Sequence, residues 1–138
     1  MEIKVTSGAE SAKRGCNLEQ LRALTAFAWR NKIRKASGGG DARAVAKKVP
    51  TQIIQNGFLG ALAFAIENAD TGYEDVFNAI LEHLSKAKLN YGVSCENLQS
   101  FLKDLSEKSD ANTLRAITSE SLAFLNFLRR FVASGNDK

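Results

Sequence analysis

The sequence predicts an all-α protein: a compact single-domain bundle of about six helices around a central buried helix at about residues 50–69. Three observations carry that expectation. Apolar residues recur at three-to-four spacing in one segment after another, and no stretch alternates like a strand for long. Polar cap residues, glycines and a single proline separate those segments at helical lengths. The chain has 138 residues, enough for one domain with a real core, and its 44% apolar and 25% charged content is that of a globular protein.

Residues 1–16 carry Ser7, Gly8, Ser11 and Gly15 with scattered charge and no apolar period, and are expected to form a mobile arm. The helical domain then runs over 17–134, with 135–138 a short tail. Asn17 and Gln20 have the spacing of a capping box. Leu18, Leu21, Thr25, Ala28 and Trp29 mark the stripe of a first helix reaching about Ala36. Gly38, Gly39 and Gly40 break it, because consecutive glycines lose too much entropy in a helix. Asp41 can cap a short second helix whose Ala42, Val45 and Val49 share a face. Pro50 disfavours helical geometry at Val49 but suits the first position of a new helix.

From Pro50 to Ala69, apolar residues Ile53, Ile54, Phe58, Leu59, Leu62, Phe64 and Ile66 occupy every side, the mark of a helix buried all round. Gly57 and Gly60 within it, with Ala61 and Phe64, read as a narrow groove for close helix packing; a nucleic-acid-gripping GxxG loop is the sharper alternative. Thr71 and Glu74 repeat the capping-box spacing before an amphipathic helix of Tyr73, Val76, Phe77, Ile80, Leu81 and Leu84. Asn90–Ser94 forms a Gly-containing loop. Leu98, Phe101, Leu102 and Leu105 line a fifth helix. Ser109 and Asp110 start a sixth, whose stripe of Leu114, Ile117, Ser121, Leu122, Leu125, Leu128 and Val132 stops before Gly135.

Composition removes whole classes of function. Two cysteines, Cys16 and Cys95, and one histidine, His83, leave no plausible metal site of those ligands, and no cofactor motif is present. The longest apolar run, Phe58–Ile66, is nine residues, far short of the roughly 20 that span a bilayer. With no secretory signal and no cysteine framework, a cytoplasmic setting is expected. His83 sits at the edge of an apolar stripe and reads as structural. Cys95 stands at a helix start, where a dipole can lower a thiol pKa, but it has no partner to make it a nucleophile. No catalytic residue, small-molecule substrate or membrane contact is expected.

The charge is more informative. Residues 1–50 hold eleven Lys/Arg against four Asp/Glu, whereas residues 51–138 hold eight against eleven. Within Arg22–Lys48 there are eight cations and one acid, Asp41. Arg30 and Arg34 stand four apart on the first helix, and Arg43 and Lys47 four apart on the second, with Lys48 beside them. Like charges at that spacing each cost a few tenths of a kcal/mol, about 0.2–0.5, so an external polyanion is the better explanation than a merely solvated face. Trp29 lies amid these charges and can stack on a base, but its place on the stripe favours the core. Arg129 and Arg130 close the last helix, where cations also answer the helix dipole, and can extend the basic surface.

One block is specific. Lys47-Lys48-Val49-Pro50-Thr51-Gln52-Ile53-Ile54-Gln55-Asn56-Gly57-Phe58-Leu59, continuing into Ala61-Leu62-Ala63-Phe64, resembles the small helical subunit of the type III-B CRISPR RNA-guided effector, the Cmr complex. Leu114-Arg115, Thr118, Glu120, Leu122, Leu125 and Leu128-Arg129-Arg130-Phe131 form a second agreeing block, and Arg22-Ala23 with Ala26 is compatible. Leu114 and Phe127 stand where a Tyr and a Trp are expected, which keeps the apolar character.

The resemblance implies a non-catalytic subunit of an antiviral ribonucleoprotein. Its partners would be other effector subunits, further copies of itself, guide RNA and target RNA. The charge pattern names the residues expected to face the RNA: Arg22, Arg30, Arg34, Arg43, Lys47, Lys48, Arg129 and Arg130. A free-standing helical nucleic-acid-binding regulator and a helical protein-interaction adaptor are the alternatives, and the analogous type III-A small subunit stays open.

Overall fold

The computed structural model describes residues 17–36, 42–68 and 72–134. The expected N-terminal arm with Cys16, the glycine triplet, the Asp41 cap, Thr71 and the 135–138 tail lie outside the described residues. Among the described residues there are six helices and no strand: α1 (Leu18–Ala36), α2 (Ala42–Asn56), α3 (Phe58–Glu67), α4 (Tyr73–Ala87), α5 (Leu98–Lys108) and α6 (Ala111–Ser134). The all-α expectation is met.

Local chemistry sets most helix starts. Asn17 and Gln20 form the reciprocal capping box, each backbone N–H donating to the other side chain at 2.8 Å. Asn97 Oδ1 accepts from Ser100 N at 2.8 Å to open α5, and Asp110 Oδ1 accepts from Thr113 N at 2.8 Å to open α6. The N-cap of α4 is Gly72, at φ 96°, with no side-chain hydrogen bond. Lys88 closes α4 in the left-handed conformation, its N–H turned back to the Leu84 and Ser85 carbonyls.

The segment expected as one helix over 50–69 is two helices. Pro50 lies inside α2, and the break comes at Gly57, whose φ of 85° ends one helix and precedes the next. A proline inside a helix loses one backbone hydrogen bond and costs about 3 kcal/mol. Val49 and Ile53, buried on either side of it, offset that cost and carry the helix through. Nor is the segment buried all round, because Ile54 is 72% exposed and Phe64 38%. Gly57 and Gly60 make no close helix contact: a Cβ at Gly57 would meet nothing within 4 Å, and one at Gly60 only Asn56 Cβ at 3.5 Å.

The central element is α4. It packs against all five other helices and buries Val76, Phe77, Ala79, Ile80, Leu81, His83 and Leu84. Its polar residues Glu74, Asp75, Asn78, Glu82 and Lys86 leave it amphipathic by pattern, yet the apolar face is wide enough to serve every neighbour. Buried residues from all six helices form one cluster. Phe58 of α3 meets Phe77 of α4 and Phe101 of α5 edge-on, at centroid separations of 5.7 and 6.0 Å. On α1 the buried face is Leu21, Thr25, Ala26 and Ile33, whereas Ala28, expected on the stripe, is exposed.

Candidate nucleic-acid interface

All eight predicted RNA-facing residues stand on α1, α2 and α6, and these three helices are mutual neighbours. Together they carry eleven Lys/Arg against two Asp/Glu, Glu19 and Glu120. Helices α3, α4 and α5 carry three Lys/Arg against six Asp/Glu. The bundle is therefore electrically polarised between two sets of helices, which the half-and-half charge count along the chain shows only in outline.

On α2, Ala46, Val49 and Ile53 turn into the core while Lys47 and Lys48 are exposed, with no ion pair among the described residues. No acid occurs anywhere in that helix. Arg43 stands in its first turn and Arg34 in the last turns of α1; their side chains lie outside the described residues. The Arg30 guanidinium is 4.3 Å from the Phe27 ring centroid, and Lys32 Nζ is 4.4 Å from the Trp29 ring. Arg130 is exposed, and neighbouring Arg129 donates from Nη2 to Asn126 Oδ1 at 3.0 Å.

Arg22 is differently placed. Its Nε and Nη2 donate to the two carboxylate oxygens of Glu120, both at 2.7 Å. The hydrogen bond to Glu120 raises the guanidinium pKa further. Glu120 Oε2 also contacts His83 Nε2 at 2.8 Å, and the His83 ring stacks on Phe124 with centroids 4.8 Å apart. Burial alone would raise Glu120, but the hydrogen bonds from Arg22 and His83 outweigh it and hold the carboxyl below its usual range. Burial pushes the His83 imidazole down, toward the neutral form. That makes Nε2 the donor to Glu120, while buried Nδ1 has no partner. The assembly is a closed structural joint among α1, α4 and α6: His83 is 0% exposed, out of reach of any substrate.

Sequence reasoning missed that joint. A signal was present, since Glu120 is the single acid in α6 and stands next to the stripe position Ser121. Trp29 is half-buried against the core as expected, its Nε1 donating to Glu82 at 3.1 Å. Cys95 precedes the α5 N-cap by two residues and is half-buried; burial pushes its thiol up rather than down. Among the described residues no group of His, Cys, Asp or Glu is placed to hold a metal ion, and no helix is long and apolar enough to cross a membrane.

A sequence model of the family described as CRISPR-associated protein (Cas_Cmr5) matches residues 18–135. The chain belongs to the Cas_Cmr5 family. That match spans all six described helices, so the polarised bundle is the Cas_Cmr5 domain and not an appendage to it. Cas_Cmr5 is the small-subunit family of type III-B CRISPR complexes. No curated protein and no solved structure matches the chain significantly.

Proposed function

We propose that this Cas_Cmr5 protein is the non-catalytic structural small subunit of a type III-B ribonucleoprotein effector, stacking in several copies and lining the guide–target RNA path with the basic set α1, α2 and α6. The observation that carries this reading is the polarity just described, above all the acid-free α2 with exposed Lys47 and Lys48. A guide supplies sequence specificity by base pairing, so the subunit beside it needs backbone charge and shape rather than base readers. The acidic set α3, α4 and α5 supports head-to-tail stacking, since a heterologous contact needs two complementary surfaces. Arg30, Arg34, Arg43, Lys47, Lys48, Arg129 and Arg130 form the proposed RNA side. Arg22 reaches it from its Glu120 pair and contributes less free charge.

A helix-turn-helix regulator is the weaker reading. The helix after the tight break at Gly57 is α3, whose single charged residue is Glu67 and whose Phe58, Ala61, Leu62 and Ala65 are buried. It has no polar readers to present to a groove.

Tagged purification from the native host, with sequencing of bound RNA, tests the proposal. Short RNAs with repeat-derived ends beside larger effector subunits are expected. Recovery of the protein alone, or with genomic DNA, would overturn it. Neutralising four to six phosphates predicts a log affinity against log salt slope of roughly −3 to −5.

A further inference from the structure

Phe27 carries the most exposed aromatic ring among the described residues, at 55%, and Leu24 one turn earlier is 50% exposed. The ring is held rather than loose. Phe131 of α6 meets it edge-on at a centroid distance of 5.9 Å, and the Arg30 guanidinium lies over it. Along the two helices that form this patch, the charges flanking it in sequence share one sign. From Gln20 to Ala36, α1 has no acid, and from Ser121 to Ser134, α6 has none. The other exposed aromatics have different settings. Phe64 and Tyr73 pack together on α3 and α4, with Glu67 and Glu74 close to them in sequence, an acidic setting that disfavours a phosphate, and Tyr91 stands in a turn.

An aromatic face rimmed by cations fits a ligand that brings both a flat π surface and negative charge. A duplex offers the charge but keeps its base faces stacked inside. An unpaired nucleotide offers both. We propose that Phe27, with Leu24 and Arg30, is a stacking platform for an unpaired nucleotide of the bound RNA. This rests on the RNA-facing reading of α1 and α6 above, and adds to it a base-contacting site where that reading asks only for backbone contact. Arg30, steadied by the Phe27 ring, presents its N–H groups to the adjoining phosphate.

The test uses the full chain at low salt with two labelled probes, a short oligouridylate and a blunt RNA duplex of the same length. Phe27→Ala and Phe27→Leu are each expected to weaken oligouridylate binding about tenfold or more, with duplex affinity and both salt slopes unchanged. Phe27→Trp is expected to retain the wild-type affinity. Phe27→Leu keeps the apolar contact with Phe131 and removes the π face, so it decides the matter should Phe27→Ala fold poorly. Unchanged oligouridylate binding by Phe27→Leu, or equal loss on both probes, would overturn the platform alone. Loss of self-association in sedimentation with RNA binding intact would assign the patch to a protein partner instead. A wild-type chain that bound neither probe would sink the RNA-facing reading together with the platform.

Discussion

Arg22 and Glu120, 98 residues apart in sequence, meet in a two-point ion pair at 2.7 Å, and the same carboxylate receives His83 at 2.8 Å. One acid thus ties α1, α4 and α6. Glu120→Ala leaves a part-buried guanidinium and a fully buried imidazole without their acceptor. Breaking a buried pair costs about 3–5 kcal/mol; with Arg22 22% exposed, a loss of about 2–3 kcal/mol is expected in urea unfolding. Arg22→Ala is expected to cost less, because Glu120 keeps His83 as a donor.

The same joint sets a pH dependence. The folded-state pKa of His83 lies below 6.5, so the unfolded chain takes up that proton first as pH falls. The His83 contribution is then constant above neutrality and declines on acidification from about pH 6.5, a reference value the unfolded imidazole retains. Glu120 and Glu82 are also lowered, from 4.5, so their contribution is present above that value and is lost as pH falls through their folded pKa. Two successive losses are expected in melting temperature against pH. His83→Asn should remove the first and leave the second.

Helix boundaries near Gly57 give opposite signs for two neighbouring substitutions. Gly57→Ala places a Cβ at φ 85° and is expected to destabilise by about 1 kcal/mol through backbone strain, although nothing crowds the site. Gly60→Ala meets only an ordinary contact on an exposed helix face and is expected to stabilise by up to about 1 kcal/mol. Thermal melts of the two variants test the placement of the break.

Charge reversal at Lys47 and Lys48 separates binding from folding. Both side chains are exposed, so the double change to Glu is expected to alter stability by no more than about 0.5 kcal/mol. RNA affinity should fall, and the salt slope should shrink by about 1 to 2. An unchanged slope in titrations at several salt concentrations would remove α2 from the interface.

Much of this architecture was legible because it is local. The capping box at Asn17 and Gln20 and the start of α6 at Asp110 are written within a few residues of where they act. Pro50 misled because proline is the stronger punctuation in isolation, while burial of Val49 and Ile53, a tertiary effect, decided the outcome. The central helix was misplaced for a related reason. The 50–69 segment has more apolar residues than α4 shows on its surface-facing strip, but density of apolar residues does not say how many neighbours a helix serves. On the candidate interface, the three cation-bearing helices could be named from sequence; that they adjoin one another could not. The joining role of Glu120 was missed because its partners lie 37 and 98 residues away, beyond any periodicity.

The clasp between the first and last described helices also governs when the fold can close. On a ribosome, α1 emerges with Leu21, Ala26 and Ile33 needing cover from α4 and α6, and α6 comes last among the described helices. Local helices can form early, but closing so long a loop waits until α6 is free of the exit tunnel. A nascent chain halted before Glu120 should therefore stay protease-sensitive and prone to capture by chaperones, and protection should arrive in one late step. Assembly with partners then begins from finished subunits rather than from growing ones.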